Sequence, residues 1–305
     1  MFAIILFLLP TDALPTFAVR GETVLTADDV PWAAALRERG AIVPLTDGRL
    51  RVYFTGYDGS KTGLRQMGVA ESSDAGRTWD VAGEPVSPPG VWVEDPFIVR
   101  VAADRFEAVA EGRGPDARRL TSPDGLLWSD RGSLDIRGTD GRPISAGPRG
   151  TPTIVIDDGR PHLLYERYDA GIWLAVSDDF ETWTNISDDP VFEPSDTGFD
   201  SAMIAVNQVV RRGDVYVAYY HGTATHEKPR QWAVGRAVSK DLRTWRRLED
   251  NPITTVAANE SSGTVVETDA GPILFTTHDR VRRHPAINRA DDPLRDERTP
   301  QNESP

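Results

Sequence analysis

The sequence predicts an all-β, five-bladed β-propeller. Three observations carry this: a Trp-terminated turn recurs four times, five β-rich runs open five similar units, and the last unit lacks a turn of its own. The turns are Ser72-Ser73-Asp74-Ala75-Gly76-Arg77-Thr78-Trp79, Ser122-Pro123-Asp124-Gly125-Leu126-Leu127-Trp128, Ser177-Asp178-Asp179-Phe180-Glu181-Thr182-Trp183 and Ser239-Lys240-Asp241-Leu242-Arg243-Thr244-Trp245, the first with one extra residue before its Trp. In such a segment the Asp side chain accepts backbone N–H bonds while Gly or a small loop reverses the chain. The Trp then buries its ring between sheets. These residues are expected to hold hairpins and to do no chemistry.

Around each turn the same order recurs. The opening runs are Ala41-Ile42-Val43, Phe97-Ile98-Val99, Thr153-Ile154-Val155, Met203-Ile204-Ala205-Val206 and Thr264-Val265-Val266. Each leads through a polar turn such as Asp47-Gly48 or Asp157-Asp158-Gly159 into a second strand, and in three units a third strand runs directly into the Trp turn. Four strands per unit make a propeller blade, and closing the ring removes exposed sheet edges. After Asp279 the chain becomes RVRRHPAINRADDPLRDERTPQNESP, with no further turn or Trp. The outer strands of the fifth unit are therefore expected from elsewhere, with Thr16 to Leu25 as donor. The expected organisation is a signal segment over 1–15, the propeller over 16–285 and a polar, disordered tail over 286–305.

The 305 residues and 39% hydrophobic content suffice for one large domain. Cysteine is absent, which removes disulfides and thiolate chemistry. A net charge of −13 argues against nucleic acid and anionic lipid as partners. The apolar run MFAIILFLLP is too short to span a bilayer but fits a secretory signal with cleavage near Ala13, implying a secreted or periplasmic protein. No Lys or Arg precedes it, so a mis-assigned start or a first strand stands beside that reading, with a cytoplasmic location.

In a propeller the starts of the inner strands and the ends of the second strands meet at one mouth, because adjacent strands are antiparallel. That places Glu38, Arg39, Glu94, Asp95, Asp200 and Glu260 beside Glu111, Glu166, Arg167, His221 and His278. Glu111, Glu166, His221 and His278 fall at equivalent points of four blades, where pure packing would favour small or apolar residues. Glycosidic cleavage needs one acid for the leaving oxygen and a second carboxylate as base or nucleophile. Asp95, stiffened by Pro96, Glu166, following an apolar strand, and Asp200 are the catalytic candidates. Trp92 offers a stacking face, and Glu38, Arg39, Glu94, Glu111, Arg167, His221, Glu260 and His278 are candidate substrate-binding groups. No metal motif of adequate spacing appears, and no cofactor is required; a structural calcium or sodium ion is compatible with so many oxygen ligands.

These residues resemble the five-bladed glycoside hydrolases, a superfamily that includes families 43, 32, 68, 117 and 130. The resemblance spans roughly residues 30 to 285. It rests on Tyr53-Phe54-Thr55-Gly56, on Met67 to Ser72 leading to Trp79, on Glu94-Asp95-Pro96 and on Tyr219-Tyr220-His221-Gly222. It implies a glycoside or oligosaccharide substrate in the central funnel, attacked by carboxylates from several blades. The Asp-Pro step that opens the second blade in families 32 and 130 maps onto Asp95-Pro96. Two departures stand out. Families 43 and 32 place an essential Asp where this chain reads Arg37-Glu38-Arg39-Gly40, and Gly150-Thr151-Pro152 replaces the Glu-Cys-Pro step of family 32. The first turn also matches the Asp-box of sialidases, but those have six blades and a Phe-Arg-Ile-Pro step that is absent here. The expected function is glycosidic cleavage, and the alternative is a propeller that binds carbohydrate or protein without turnover.

Overall fold

A computed structural model of the chain describes residues 14–37, 39–145 and 150–288. Five antiparallel sheets surround one axis. Blade 1 comprises Ala35–Leu36 with Ala41–Pro44, then Leu50–Tyr57, Gln66–Ser72 and Asp80–Val81, and blade 2 comprises Glu94–Ala102, Arg105–Glu111, Ala117–Ser122 and Ser129–Ser133. Blade 3 runs through Gly150–Asp157, Arg160–Glu166, Ile172–Val176 and Thr182–Asn185, with Asp135–Arg137 added in parallel at its outer edge. Blade 4 is Met203–Arg212, Val215–Thr223, Ala233–Ser239 and Arg246–Arg247. No helix among the described residues is long and apolar enough to cross a membrane.

Each second strand lies between two neighbouring blades, so it is apolar on both sides rather than alternating apolar with polar. Val215–Thr223 is buried at every position. Its side chains nevertheless alternate in direction: Tyr219 joins the core shared with blade 5 and Tyr220 the core shared with blade 3. Five hydrophobic cores result, one in each gap between blades.

The recurrent turns behave as their composition dictates. Asp74, Asp124, Asp179 and Asp241 each accept two backbone N–H bonds at 2.8 to 3.0 Å, and the Ser two residues earlier donates its hydroxyl to the same carboxylate. Each Trp faces the preceding blade. Trp79 meets Phe275 edge to face, Trp128 meets Tyr53, and Trp245 lies 6.2 Å from Phe192. Trp183 is wholly enclosed against blade 2.

Blade 5 comprises Thr264–Thr268, Gly271–Thr277 and Val281–Ile287, and its outermost positions are filled by Thr16–Phe17 and Glu22–Leu25. The N-terminal segment thus closes the ring as expected. The third strand, however, comes from the chain's own RVRRHPAI, because Val281, Arg283 and His284 bury their side chains even though the segment reads as polar. Pairing extends to Thr16↔Ile287, so the propeller runs past the expected boundary at 286. The segment that resembles a signal lies mostly outside the described residues, as does the tail from 289.

His284 and Glu260 complete the closure. Glu260 is buried and paired with Arg282 at 2.6 Å and with His284 at 3.2 Å, while His284 Nδ1 lies 2.8 Å from the Ala18 carbonyl oxygen. A buried carboxylate needs such partners to offset its lost hydration. Replacing Leu25, 1% exposed in the closing strand, by Ala is expected to cost about 2 to 5 kcal/mol in denaturant unfolding, whereas the exposed Thr23→Ala should stay within about 0.5 kcal/mol.

Candidate active site at the funnel mouth

The mouth is organised by backbone N–H groups that leave their own blade. In blades 2 and 3 the inner strand starts with an X-Pro step, and proline cannot donate to the ladder. Pairing therefore skips from Glu94↔Glu111 to Phe97↔Val109, and from Gly150↔Glu166 to Thr153↔Leu164. Asp95 and Thr151 take left-handed φ values of 52° and 47° in these bulges, a strained conformation for non-glycine residues. Their N–H groups turn toward the preceding blade, where Asp95 donates to Thr55 Oγ1 at 2.9 Å and Thr151 donates to Glu111 Oε1 at 2.7 Å.

The same link recurs around the ring. Ser262 N–H donates to His221 Nδ1 at 3.3 Å, and Gly40 N–H donates to Thr277 Oγ1 at 2.8 Å. Glycine is required at 40, since a Cβ there would lie 2.5 Å from the Tyr53 carbonyl oxygen. Thr55 and Thr277 stand two residues beyond Tyr53 and Phe275, the residues paired with Ala41 and Thr264, whereas Glu111 and His221 are themselves paired with Glu94 and Ala205. Thr277, not His278, is thus the fifth blade's equivalent. His278 instead places Nδ1 3.1 Å from Ser261 Oγ and Nε2 3.3 Å from Asn259 Nδ2, which engages both ring nitrogens in holding loops of blade 5.

Glu166 occupies the corresponding place in blade 3 but makes no such link. Blade 4 has no X-Pro step, and its inner strand continues pairing out to Met203↔Thr223, which consumes the donor. Blades 3 and 4 are tied instead by Thr153 Oγ1, which donates to the Val206 carbonyl at 2.7 Å. Glu166 folds back over its own blade and accepts the N–H of Asp169. A Cβ on Gly150 would lie 2.8 Å from Glu166 Oε2 and 3.3 Å from Glu111 Oε1, so these two oxygens flank one point and are at most 6.1 Å apart. Glycine keeps that space open.

The two carboxyls have different surroundings. Burial pushes the Glu166 carboxyl up to about 8, with the charges of Asp169 and Glu111 acting in the same direction. Burial also raises Glu111, and Glu94 adds to this, but the Thr151 N–H and the guanidinium groups of Arg39 and Arg37 favour its ionised form. Glu166 is therefore protonated at neutral pH, while Glu111 is pulled both ways by burial and by its cationic neighbours.

Arg39 lies almost fully buried across the axis. It donates Nη1 to the Pro152 carbonyl at 2.7 Å and Nη2 to Thr153 Oγ1, and it stacks over Phe97 at 5.2 Å. Its own N–H lies 3.3 Å from Asp95 Oδ1. Burial lowers its pKa to about 10, which still leaves a cation at neutral pH. His221 is buried against Trp232 and lowered to about 3 by that burial and by the charges of Arg39 and His278. Its Nδ1 lies 3.0 Å from Asn207 Oδ1 and 3.3 Å from the Ser262 nitrogen, so this neutral imidazole is held by its own blade and by blade 5.

Other candidates are engaged elsewhere. Asp200 is buried on the blade 3 side, its carboxylate bound by Ser195 Oγ at 2.6 Å, Tyr220 OH at 2.9 Å and Arg247 Nε at 2.6 Å. Tyr220 and His221 alternate across their strand, so Asp200 lies on the opposite face of the strand from His221. Glu260 belongs to the ring closure. Glu94 is held by Trp92 Nε1 at 3.0 Å, Arg37 at 2.9 Å and Arg65 at 3.8 Å. Arg167 reaches Ser145 Oγ at 3.3 Å, and Glu38 lies outside the described residues. The sequence reading missed Thr55, Thr277 and Gly150, though the parallel Glu94-Asp95-Pro96 and Gly150-Thr151-Pro152 steps were visible signals of the bulges. Among the described residues no three His, Asp or Glu side chains are grouped to hold a metal ion.

No protein-family model matches the chain, and no curated protein matches it in sequence. Solved structures do match in fold. A glycosyl hydrolase from Bacteroides ovatus superposes with a TM-score of 0.70 at 18% identity, over 91% of this chain and 95% of that one. An endo-1,4-β-xylanase from Bacteroides thetaiotaomicron gives 0.58 at 17% identity, over 89% and 94%. A xylan β-1,4-xylosidase from Bacillus halodurans gives 0.58 at 16% identity, over 87% of this chain and 54% of that one. At these identities the likeness establishes architecture, and the chain has the five-bladed β-propeller arrangement found in these glycoside hydrolase structures.

Proposed function

We propose that the chain is a glycoside hydrolase-type enzyme whose reaction centre is the Glu111 and Glu166 pair at the funnel mouth. The carrying observation is that Glu166 alone among the inter-blade acceptor positions is released from linking duty and held protonated near a second carboxylate. Glu166 serves as the proton donor to the leaving oxygen, and Glu111, backed by Arg37 and Arg39, serves as the anionic partner. Asp95 fixes the backbone of Arg39 and lines the same mouth, His221 and Trp92 contribute to holding the sugar, and Asp200 moves from the expected catalytic set to a structural role. Water is the acceptor in this reading, and the substrate is an oligosaccharide or glycoside.

A second reading, a glycan-binding propeller without turnover, draws support from the stretch Arg37-Glu38-Arg39-Gly40, where families 43 and 32 carry an essential Asp. The two separate on one measurement. Glu166→Gln is expected to lower kcat by roughly 10²- to 10⁴-fold in a glycan hydrolysis screen while retaining binding. Glycan binding by the wild-type chain with no cleavage across the screen supports the second reading.

The protonation of Glu166 has two further consequences. Activity should fall as pH rises through about 8, where the acid is lost, and kcat profiles of Glu166→Gln should lack that limb. A carboxyl whose pKa rises on folding binds its proton more tightly in the folded state, so its contribution to stability declines from the model-peptide value of 4.5 up to about 8. Melting curves at acid and alkaline pH should therefore show Glu166→Gln gaining stability over wild type on the alkaline side. Gly150→Ala inserts a methyl group against Glu166 Oε2 and is expected to cut kcat by about tenfold or more with little change in melting temperature.

A further inference from the structure

Two arginines stand at matching places beside the carboxyl pair. Arg113 follows Glu111 by two residues and Arg167 follows Glu166 directly, each in the loop from the second to the third strand of its blade. Each guanidinium lies over aromatic surface, Arg113 at 5.7 Å from the Trp92 ring and Arg167 at 5.2 and 5.5 Å from Tyr168 and Trp173. Tyr168 is 53% exposed and is held at a left-handed φ of 58°, so an aromatic side chain is presented at the rim from a strained backbone.

The carboxylates of the mouth are already answered by other groups. Glu94 has Arg37 and Arg65, while Arg39 faces both Asp95 and Glu111. Asp116, the next acid after Arg113, is paired with Arg118 at 3.3 Å. Asp169, beside Glu166, is the remaining nearby acid. Neither Arg113 nor Arg167 forms an ion pair with a carboxylate among the described residues. A chain carrying 13 excess negative charges therefore keeps two forked cations, each backed by an aromatic ring, in the loops that follow its two carboxyls. Guanidinium groups match planar anions bidentately, and ring faces accept the C–H surface of a sugar.

We propose that the mouth receives an anionic sugar, one bearing a carboxylate or sulfate group, with Arg113 and Arg167 holding the charge and Trp92 and Tyr168 the ring. This deepens the hydrolase reading and rests on it for the position of the scissile bond, but its test is binding alone. The intact Glu166→Gln chain is applied to an array of uronate-bearing and sulfated glycans, each printed beside its carboxyl-reduced or desulfated counterpart. Binding is expected on the charged members, weaker by about tenfold or more on the neutral ones, and reduced by raising NaCl tenfold. The uronate and sulfate spots distinguish which anion is read.

Arg113→Ala and Arg167→Ala, checked for unchanged melting, should each lower affinity for the charged glycans by about tenfold and leave weak binding to the neutral ones as it was. Equal binding of charged and neutral counterparts, binding of neutral glycans only, no binding, or indifference to both arginines overturns the proposal. Should the Glu166→Gln chain bind anionic glycans that the wild type does not cleave, the hydrolase reading fails and the anionic specificity stands.

Discussion

The inner strands of this propeller are tied together by a backbone N–H passed from each blade to a side chain of the blade before it, and the character of the mouth follows from that tie. Four of the five gaps use it, with Thr55, Glu111, His221 and Thr277 as acceptors. A buried N–H must find a partner. Where a proline step, a left-handed residue or, at Gly40, the break between two inner-strand pieces interrupts the ladder, the freed donor selects an acceptor from across the gap. Where the inner strand of blade 4 pairs all the way out to Met203↔Thr223, no donor arrives, and Glu166 is left with a different task. One departure from the repeat thus singles out one carboxyl.

Arg39 adds the axial counterpart. Its guanidinium spans from blade 1 to blade 3, and its backbone faces Asp95 of blade 2. A cation at that point favours the ionised form of Glu111 and disfavours a second positive charge on His221. A single buried cation therefore biases the charge of the groups around it. Strain accompanies this arrangement: Asp95, Thr151, Tyr168, Asp169 and Ser262 all adopt left-handed φ near the mouth.

The fold was legible because it is written repeatedly. Each Asp and Trp of the turns does the same local work, and four copies average out the ambiguity of any one. The closing strand was readable for the same reason, since a unit without an outer edge needs a donor. The site was only partly legible, because its geometry depends on exceptions. Glu166 and Glu111 were named from their place after an apolar strand, and their convergence over Gly150 depends on a bulge that shifts register. Asp200 reads like Asp95 in sequence, yet Tyr220 and Arg247 draw it to the opposite face of its blade. His278 was misplaced by one residue, which in a strand reverses the side chain. Polar residues of the third strand in blade 5 hid a buried ion pair that composition alone does not reveal.

Blade 5 is built from both ends of the described chain, with Thr16 paired to Ile287 across almost the whole length of the domain. During synthesis the early strand must wait, unpaired, until all the other blades have emerged. Contacts so distant in sequence are slow to form. Closure therefore depends on the last strand: a chain cut short before Val281 lacks the partner of Thr16–Phe17 and Glu22–Leu25, and the apolar side chains of Phe17 and Leu25 lose their cover. Once capture occurs, the order reverses, since neither end can leave without opening a core that the rest of the ring encloses.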